Sequence, residues 1–234
     1  MRRRLRSLTG WTVVLATTTL LVTAVSAQQQ QGSARAASSA APRPTTASAT
    51  PASAPASNVY AQRFATVCAA CHGANGRSEM AGTPVLAGQP AFYSITQLFL
   101  FREGRRDNEA MIAVAKTMKD DDLRGFSDFI GTLPPVPAPA PSTAPDPARM
   151  ARGQALAQQH KCFFCHGADL GGGQQVPRIA GQREDYLQAS LQGFKSGKRP
   201  GYTQAMTEAV SQIPPADLDT LAYYAARFTA PAGK

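Results

Sequence analysis

A Cys-x-x-Cys-His pentapeptide occurs twice in this chain, at residues 68–72 and 162–166. The two copies contain all four cysteines and two of the three histidines among 234 residues. This pentapeptide is the attachment signature of a c-type haem, because the thiols add across the haem vinyl groups and the adjacent imidazole becomes an axial iron ligand. The sequence therefore predicts two covalently bound haem c groups. The predicted thioether residues are Cys68, Cys71, Cys162 and Cys165, and the predicted iron ligands are His72 and His166.

Four cysteines could instead form two disulfides, a thioredoxin-like redox pair or a four-cysteine zinc site. Zinc knuckles usually lie ~15 to 20 residues apart, whereas 90 residues separate the second cysteine from the third. A redox Cys-x-x-Cys follows a strand, and no alternating strand pattern precedes either copy. Neither the zinc site nor the redox pair explains a histidine directly after both cysteine pairs.

The two motifs belong to a longer internal repeat. The cysteines and histidine of the first motif recur 94 residues later in the chain. A Pro–Gly–Gln segment and residues of the helix after it recur 93 residues later. Seven prolines lie within residues 134–147, a composition typical of a semi-stiff, extended linker. We therefore predict one domain at residues 58–133 and a second at 148–230, joined by the 134–147 linker.

The N-terminal segment has the features of an export signal. Residues 1–27 combine four arginines, an apolar core and a small-residue ending, which indicates a signal peptide. A retained membrane anchor is the alternative, since residues 8–27 carry no charge. Residues 28–57 are nearly all Gln, Ala, Ser, Thr and Pro and are predicted to be a disordered spacer.

Each domain is predicted to contain three main helices and no strand. The first helix leads into the haem motif, the middle one ends at Gly104 or Gly197, and the last carries an apolar stripe at helical spacing. The stripe is Leu123, Phe126, Phe129, Ile130 and Leu133 in domain 1, matched by Leu218, Leu221, Tyr224, Ala225 and Phe228 in domain 2. A covalently held haem would complete the small core of each domain.

Methionines supply candidates for the second axial position of each iron. Met206 is the only methionine after His166, and Met111 occupies the equivalent position of the repeat. A methionine is often a core filler instead, but these two lie 39 and 40 residues after their histidines. Met111 and Met206 are therefore the predicted ligands, and histidine–methionine ligation is the arrangement for electron transfer. Met80 has no counterpart in the repeat, Met118 corresponds to Ile213 and is interpreted as a core residue, and His160 is interpreted as a surface residue.

The net charge of +9 does not indicate a nucleic-acid partner. Without residues 1–27 the chain has 20 basic and 15 acidic residues, or +5, and haem propionates would nearly cancel this charge. No basic run is interleaved with aromatic residues. The basic clusters are interpreted as solvated surface, with a locally basic docking face as the alternative; they are Arg102, Arg105 and Arg106 in domain 1 and Lys195, Lys198 and Arg199 in domain 2.

The order of these motifs resembles the tandem di-haem class I cytochromes c, of the cytochrome c4 type. In both halves Cys-x-x-Cys-His-Gly is followed by Pro-x-Leu/Ile-Ala-Gly-Gln, an aromatic residue, a Gly-terminated helix and a methionine before the last helix. The resemblance covers residues 58–229 and implies an all-α fold of two small domains, each around one haem. It also implies that the carbonyls of Pro84 and Pro177 accept a hydrogen bond from the ligand imidazoles.

The function implied is periplasmic electron transfer rather than catalysis. Expected partners are a quinol-oxidising complex or a dehydrogenase as donor and a terminal oxidase or reductase as acceptor. One alternative is the cytochrome subunit of a periplasmic dehydrogenase. Another is a peroxidase-like enzyme with an open iron, although no acid–base constellation for it is visible. A membrane tether would follow if the signal segment were retained.

Overall fold

The computed structural model describes residues 56–201 and 203–229, which lie within one compact unit. The predicted signal peptide and the spacer up to residue 55 lie outside the described residues. Within them the chain forms ten helices and one isolated β-bridge but no strand. The predicted all-α fold class is confirmed.

Five helices build each half of the chain. Domain 1 contains α1 (Ala56–Val67), α2 (Ala69–His72), α3 (Ala91–Arg102), α4 (Glu109–Lys116) and α5 (Asp120–Thr132). Domain 2 contains α6 (Pro147–Gln159), α7 (Cys162–His166), α8 (Glu184–Ser196), α9 (Ala205–Val210) and α10 (Pro215–Arg227).

The three predicted main helices of each domain correspond to α1, α3 and α5 and to α6, α8 and α10. Two differences appear in each domain. The haem motif forms a separate short helix after a turn, and a further short helix, α4 or α9, precedes the last one. Helices this short span too few turns for an apolar period to stand out in a sequence, and they depend on tertiary packing for their stability.

Local sequence signals set several helix ends. Asp146 caps α6, because its carboxylate accepts hydrogen bonds from the backbone nitrogens of Ala148 and Arg149 at 2.8 and 3.2 Å. Gly197 ends α8 in the left-handed conformation, with φ of 74°. The glycine end of α8 agrees with the sequence prediction.

The last helix of each domain forms the centre of the core. It packs against the first helix, as α5 on α1 and α10 on α6, and against the middle helix. The predicted apolar stripe is confirmed, since Leu123, Phe126 and Ile130 are buried in domain 1 and Leu218, Leu221, Tyr224 and Ala225 in domain 2. This packing holds the segments that carry the haem motifs in place.

Residues 134–146 of the proline-rich linker have no regular secondary structure, and the linker lies against both domains. The side chain of Arg77 in domain 1 donates to the carbonyl oxygen of Pro137 at 3.0 Å. The backbone nitrogen of Ala138 donates to the carbonyl oxygen of Gly181 in domain 2 at 2.7 Å. The linker therefore bridges the two domains along its length.

The two domains also contact each other directly, and this contact corrects one interpretation of the basic clusters. Arg106 and Arg199 were expected on a solvated surface, but they lie at the domain interface. Arg106 donates to the hydroxyl of Tyr186 at 2.9 Å, and Arg199 donates to Tyr186 at 3.1 Å and to Tyr93 at 3.4 Å. The charge pattern along a sequence does not show which basic residue faces a neighbouring domain.

Candidate haem-binding site

The two cysteines of each motif lie one helical turn apart. Cys68 directly precedes α2 and Cys71 lies within it, while Cys162 and Cys165 are both in α7. In each pair the first cysteine is partly buried and the second is exposed, and all four are free thiols. Within the described residues no group of three or more Cys, His, Asp or Glu side chains is arranged to hold a metal ion. The geometry therefore favours neither disulfides nor a four-cysteine zinc site.

The thiol environments also argue against a redox dithiol. Burial raises the pKa of Cys68 to about 11, with Arg63 opposing the shift, and burial raises the pKa of Cys162. Redox-active cysteines require a lowered pKa, because the thiolate is the nucleophile. These thiols remain protonated at neutral pH, which disfavours the thioredoxin-like alternative.

His72 and His166 end their short helices as buried side chains, each 6% exposed. Nδ1 of His72 lies 2.9 Å from the carbonyl oxygen of Pro84, and Nδ1 of His166 lies 3.0 Å from that of Pro177. A carbonyl can only accept, so Nδ1 carries the proton in both rings and Nε2 keeps a free lone pair. Burial lowers the pKa of both histidines, an effect that the carbonyls partly oppose. A neutral imidazole with a free Nε2 is the form that binds a metal.

Met111 and Met206 occupy equivalent positions in the two domains. Met111 lies near the start of α4 and Met206 near the start of α9. Both are partly buried and pack against the core of their own domain. The side chain of Asn108 accepts a hydrogen bond from the backbone nitrogen of Met111 at 2.9 Å and so caps α4. The short helices that the sequence pattern did not reveal are thus the elements that position both methionines.

The other two methionines that follow His72 in domain 1 lie in different environments. Met118 is buried in the core of domain 1, and Met80 is 49% exposed. The interpretation of Met118 as a core residue therefore agrees with the structure.

The interface arginines provide an independent test of whether the site suits haem. Within the part of the chain that the structure describes, neither Arg106 nor Arg199 pairs with a carboxylate. Their partners are tyrosine hydroxyls, Gln97 and Ser190. Charges that are largely withdrawn from solvent are normally paired, so these two interface guanidiniums fit a cofactor that brings its own carboxylates, as haem does through its propionates.

The charges of the same two arginines act on Tyr186. Burial raises the pKa of this phenol, but the neighbouring guanidiniums outweigh burial and bring it down to about 7. The free thiols, the neutral imidazoles and the unmatched positive charge therefore all fit haem c.

The sequence profile of the family described as cytochrome c matches residues 59–134 and again residues 150–225. The chain belongs to the cytochrome c family. It is 34% identical over 181 residues to the thiosulfate dehydrogenase electron acceptor of Thiomonas intermedia, covering 68% of this chain and 82% of that protein. It is 33% identical over 143 residues to cytochrome c4 of Thiocapsa roseopersicina, covering 57% of this chain and 71% of that protein. The crystal structure of reduced cytochrome c4 from Pseudomonas stutzeri superposes with a TM-score of 0.66 at 23% identity, covering 74% of this chain and 98% of that chain.

These matches confirm the resemblance to tandem di-haem cytochromes and its main consequences. The chain is a cytochrome c4-like electron-transfer protein that carries two covalent haem c groups and acts with redox partners. The prediction of an electron carrier rather than an enzyme is also confirmed. When bound, each haem supplies an iron that gains or loses one electron without forming a bond to a substrate. The chain itself supplies the attachment points, the pocket and the orientation of the ligands.

The structure shows contacts for two glutamines that the sequence identified only as repeated residues. Gln89 and Gln182 end equivalent Ala-Gly-Gln segments, and both side chains reach across to the other domain. Their recurrence at an offset of 93 was the available signal, but a repeated glutamine does not reveal which partner it contacts.

Proposed function

We propose that both irons of this electron carrier are ligated by one histidine and one methionine, His72 with Met111 and His166 with Met206. The observation that carries this proposal is the state of the two imidazoles, which are buried, neutral and held through Nδ1 by Pro84 and Pro177. Such an orientation of a metal-binding histidine raises its basicity toward the metal.

The equivalent placement of the two methionines supports the second half of each ligand set. Met111 and Met206 both lie near the start of the short helix before the last helix, packed against the core. A thioether opposite imidazole stabilises ferrous iron and raises the reduction potential. A closed coordination sphere of this kind suits a carrier, whereas a peroxidase-like enzyme requires an open position.

Spectroscopy of the haem-loaded protein tests this assignment. The oxidised protein should show the histidine–methionine signature at both haems, and the reduced protein should not bind carbon monoxide. Met111→Ala and Met206→Ala should each open one iron to carbon monoxide, while Met80→Ala, at an exposed site, serves as the control. High-spin iron in the unmodified protein, or an unchanged spectrum in both methionine variants, would overturn the proposal.

We further propose that the electron donor is a dehydrogenase, with a terminal oxidase or reductase as acceptor. The support is the similarity to the Thiomonas intermedia protein named thiosulfate dehydrogenase electron acceptor. A quinol-oxidising complex is the competing donor. Stopped-flow reduction by thiosulfate dehydrogenase with thiosulfate should be faster than reduction by a quinol-oxidising complex, and the reverse order would reject the dehydrogenase as donor.

The proposed location is the periplasm, reached through the export signal at residues 1–27. In residues 56–201 and 203–229, none of the helices is long and apolar enough to cross a membrane. Fractionation of cells that express the full chain should place the haem-stained protein in the periplasmic fraction. Recovery with the membranes would instead favour a retained N-terminal anchor.

A further inference from the structure

Each domain reaches into the other through one buried glutamine. The side-chain oxygen of Gln182 accepts from the backbone nitrogen of Val85 at 2.8 Å, and its side-chain nitrogen donates to the carbonyl oxygen of Val85 at 2.9 Å. Gln89 makes the same pair of bonds with Arg178, at 3.1 Å to the backbone nitrogen and 2.8 Å to the carbonyl oxygen. Gln89 is 5% exposed and Gln182 is 3% exposed. Two buried side chains therefore form reciprocal contacts across the interface.

The residues they hold follow directly after the prolines that face the histidines. The backbone nitrogen of Val85 belongs to the same peptide group as the carbonyl of Pro84, and that carbonyl accepts from Nδ1 of His72 at 2.9 Å. An unbroken series of hydrogen bonds thus runs from Gln182 through one peptide group to His72. The equivalent series in the other direction runs from Gln89 through the Pro177–Arg178 peptide to His166.

The two bonds on one peptide group strengthen each other. When the peptide N–H donates a hydrogen bond, the peptide group is polarised and its carbonyl oxygen becomes a better acceptor. In a low-dielectric interior this cooperativity strengthens a hydrogen bond by about 10–30%. A stronger bond from Nδ1–H increases the electron density at Nε2, because the ring becomes more basic. A more basic imidazole favours ferric iron, so the reduction potential falls.

We propose that Gln89 and Gln182 are crossed positioning residues, each of which lowers the reduction potential of the haem in the opposite domain. This inference rests on the proposed ligation of iron by His72 and His166. It makes the domain interface part of the second coordination sphere of both irons. The docking of the two domains then sets the reduction potentials of both haems as well as their positions relative to each other.

The test uses the full haem-loaded protein and two matched variants, Gln182→Met and Gln89→Met. Methionine has a similar length but cannot form either hydrogen bond. Gln182→Met should raise the potential of the haem at Cys68 and Cys71 and leave the other nearly unchanged, and Gln89→Met should do the opposite. The two haems would be told apart in NMR spectra through the residues between the attachment cysteines, which are Ala69 and Ala70 in one motif and Phe163 and Phe164 in the other.

A second readout reports the imidazole directly. In the reduced protein, Gln182→Met should move the Nδ1 proton resonance of His72 upfield, as expected of a weakened hydrogen bond, with little change at His166. Asp185→Ala is the control, because it removes a different interdomain bond, from the backbone nitrogen of Gly82 at 2.9 Å. This control should leave both histidine resonances and the difference between the two potentials unchanged.

The possible outcomes separate the inference from the ligand assignment beneath it. A shift at the haem of the same domain, equal shifts at both haems, or no shift would overturn the crossed arrangement. An effect of Asp185→Ala as large as that of Gln182→Met would overturn it as well, since domain separation would then be the cause. Absence of an axial histidine signature in the unmodified protein would instead reject the proposed ligation.

Discussion

Gly153 of α6 lies directly against Tyr224 of α10, and a methyl group on its Cα atom would collide with the tyrosine Cβ atom. The equivalent crossing in domain 1 has the glycine on the other helix, since Gly125 of α5 lies against the ring of Tyr60 in α1. In both domains the first and last helices approach closely because one of them lacks a side chain at the crossing.

Gly153→Ala should therefore destabilise domain 2. Overpacking a close contact costs ~1–3 kcal/mol, from which the higher helix propensity of alanine, ~1 kcal/mol, is subtracted. The collision is with a Cβ atom and not with the end of a flexible side chain, so the upper end of this range applies, and we expect a net loss of about 2 kcal/mol in denaturant unfolding followed by circular dichroism. Gln154→Ala, at the exposed neighbouring position, is the control and should remain within about 0.5 kcal/mol of the parent protein. A Gly153→Ala protein as stable as the parent would show that the two helices can move apart without cost.

Asp122→Asn should weaken the attachment of α1 to α5. Asp122 accepts from the Arg63 side chain in α1 and from the backbone nitrogen of Lys119 at 3.0 Å, at the start of α5. Its side chain is only 16% exposed, although Arg63 is 40% exposed, so the ion pair is partly screened. The loss of a cap and a half-exposed pair is worth about 1 kcal/mol. Asp121→Asn, at a solvent-exposed side chain, should have almost no effect.

The effect of Asp122 should depend on pH in a defined direction. The Arg63 side chain, together with the Lys119 backbone nitrogen, lowers the pKa of Asp122 from its ordinary value of 3.8. A group whose pKa is lowered on folding contributes its full stabilisation above the unfolded pKa and loses it as the pH falls through the folded pKa. The stability difference between the parent protein and Asp122→Asn should thus be constant at neutral pH and shrink below about pH 4. A difference that grew in acid would contradict this assignment.

Neither domain should fold stably without haem. Each domain has roughly 80 residues and a correspondingly modest apolar core. Replacing all four cysteines with serine removes the attachment points, and circular dichroism of the exported protein should then show a large loss of helix. A native-like helical spectrum in the haem-free protein would contradict this expectation.

The repeat explains why so much of this fold could be predicted. Residues that recur at a nearly constant offset have the same structural role in both halves of the chain. Comparing the halves therefore identified the main helices, the buried stripe of the last helix and the equivalence of Met111 and Met206. The linker was expected to be extended, and the structure gives residues 134–146 neither helix nor strand. Helices α4 and α9 were missed, because they are too short to show an apolar period. The interface positions of Arg106 and Arg199 were missed, because they depend on a surface of the other domain.

The sequence by itself determined the cofactor and the chemistry of this protein. Covalent attachment and axial ligation of a haem c require two thiols and an imidazole within five residues. Residues 68–72 and 162–166 contain these groups, so the local sequence is enough to identify them. Only the tertiary structure decided how the two haem domains are joined. The contacts of Gln89 with Arg178 and of Gln182 with Val85 link residues 89 and 97 positions apart. Such contacts arise from packing two folded surfaces together, and no local pattern of residues specifies them.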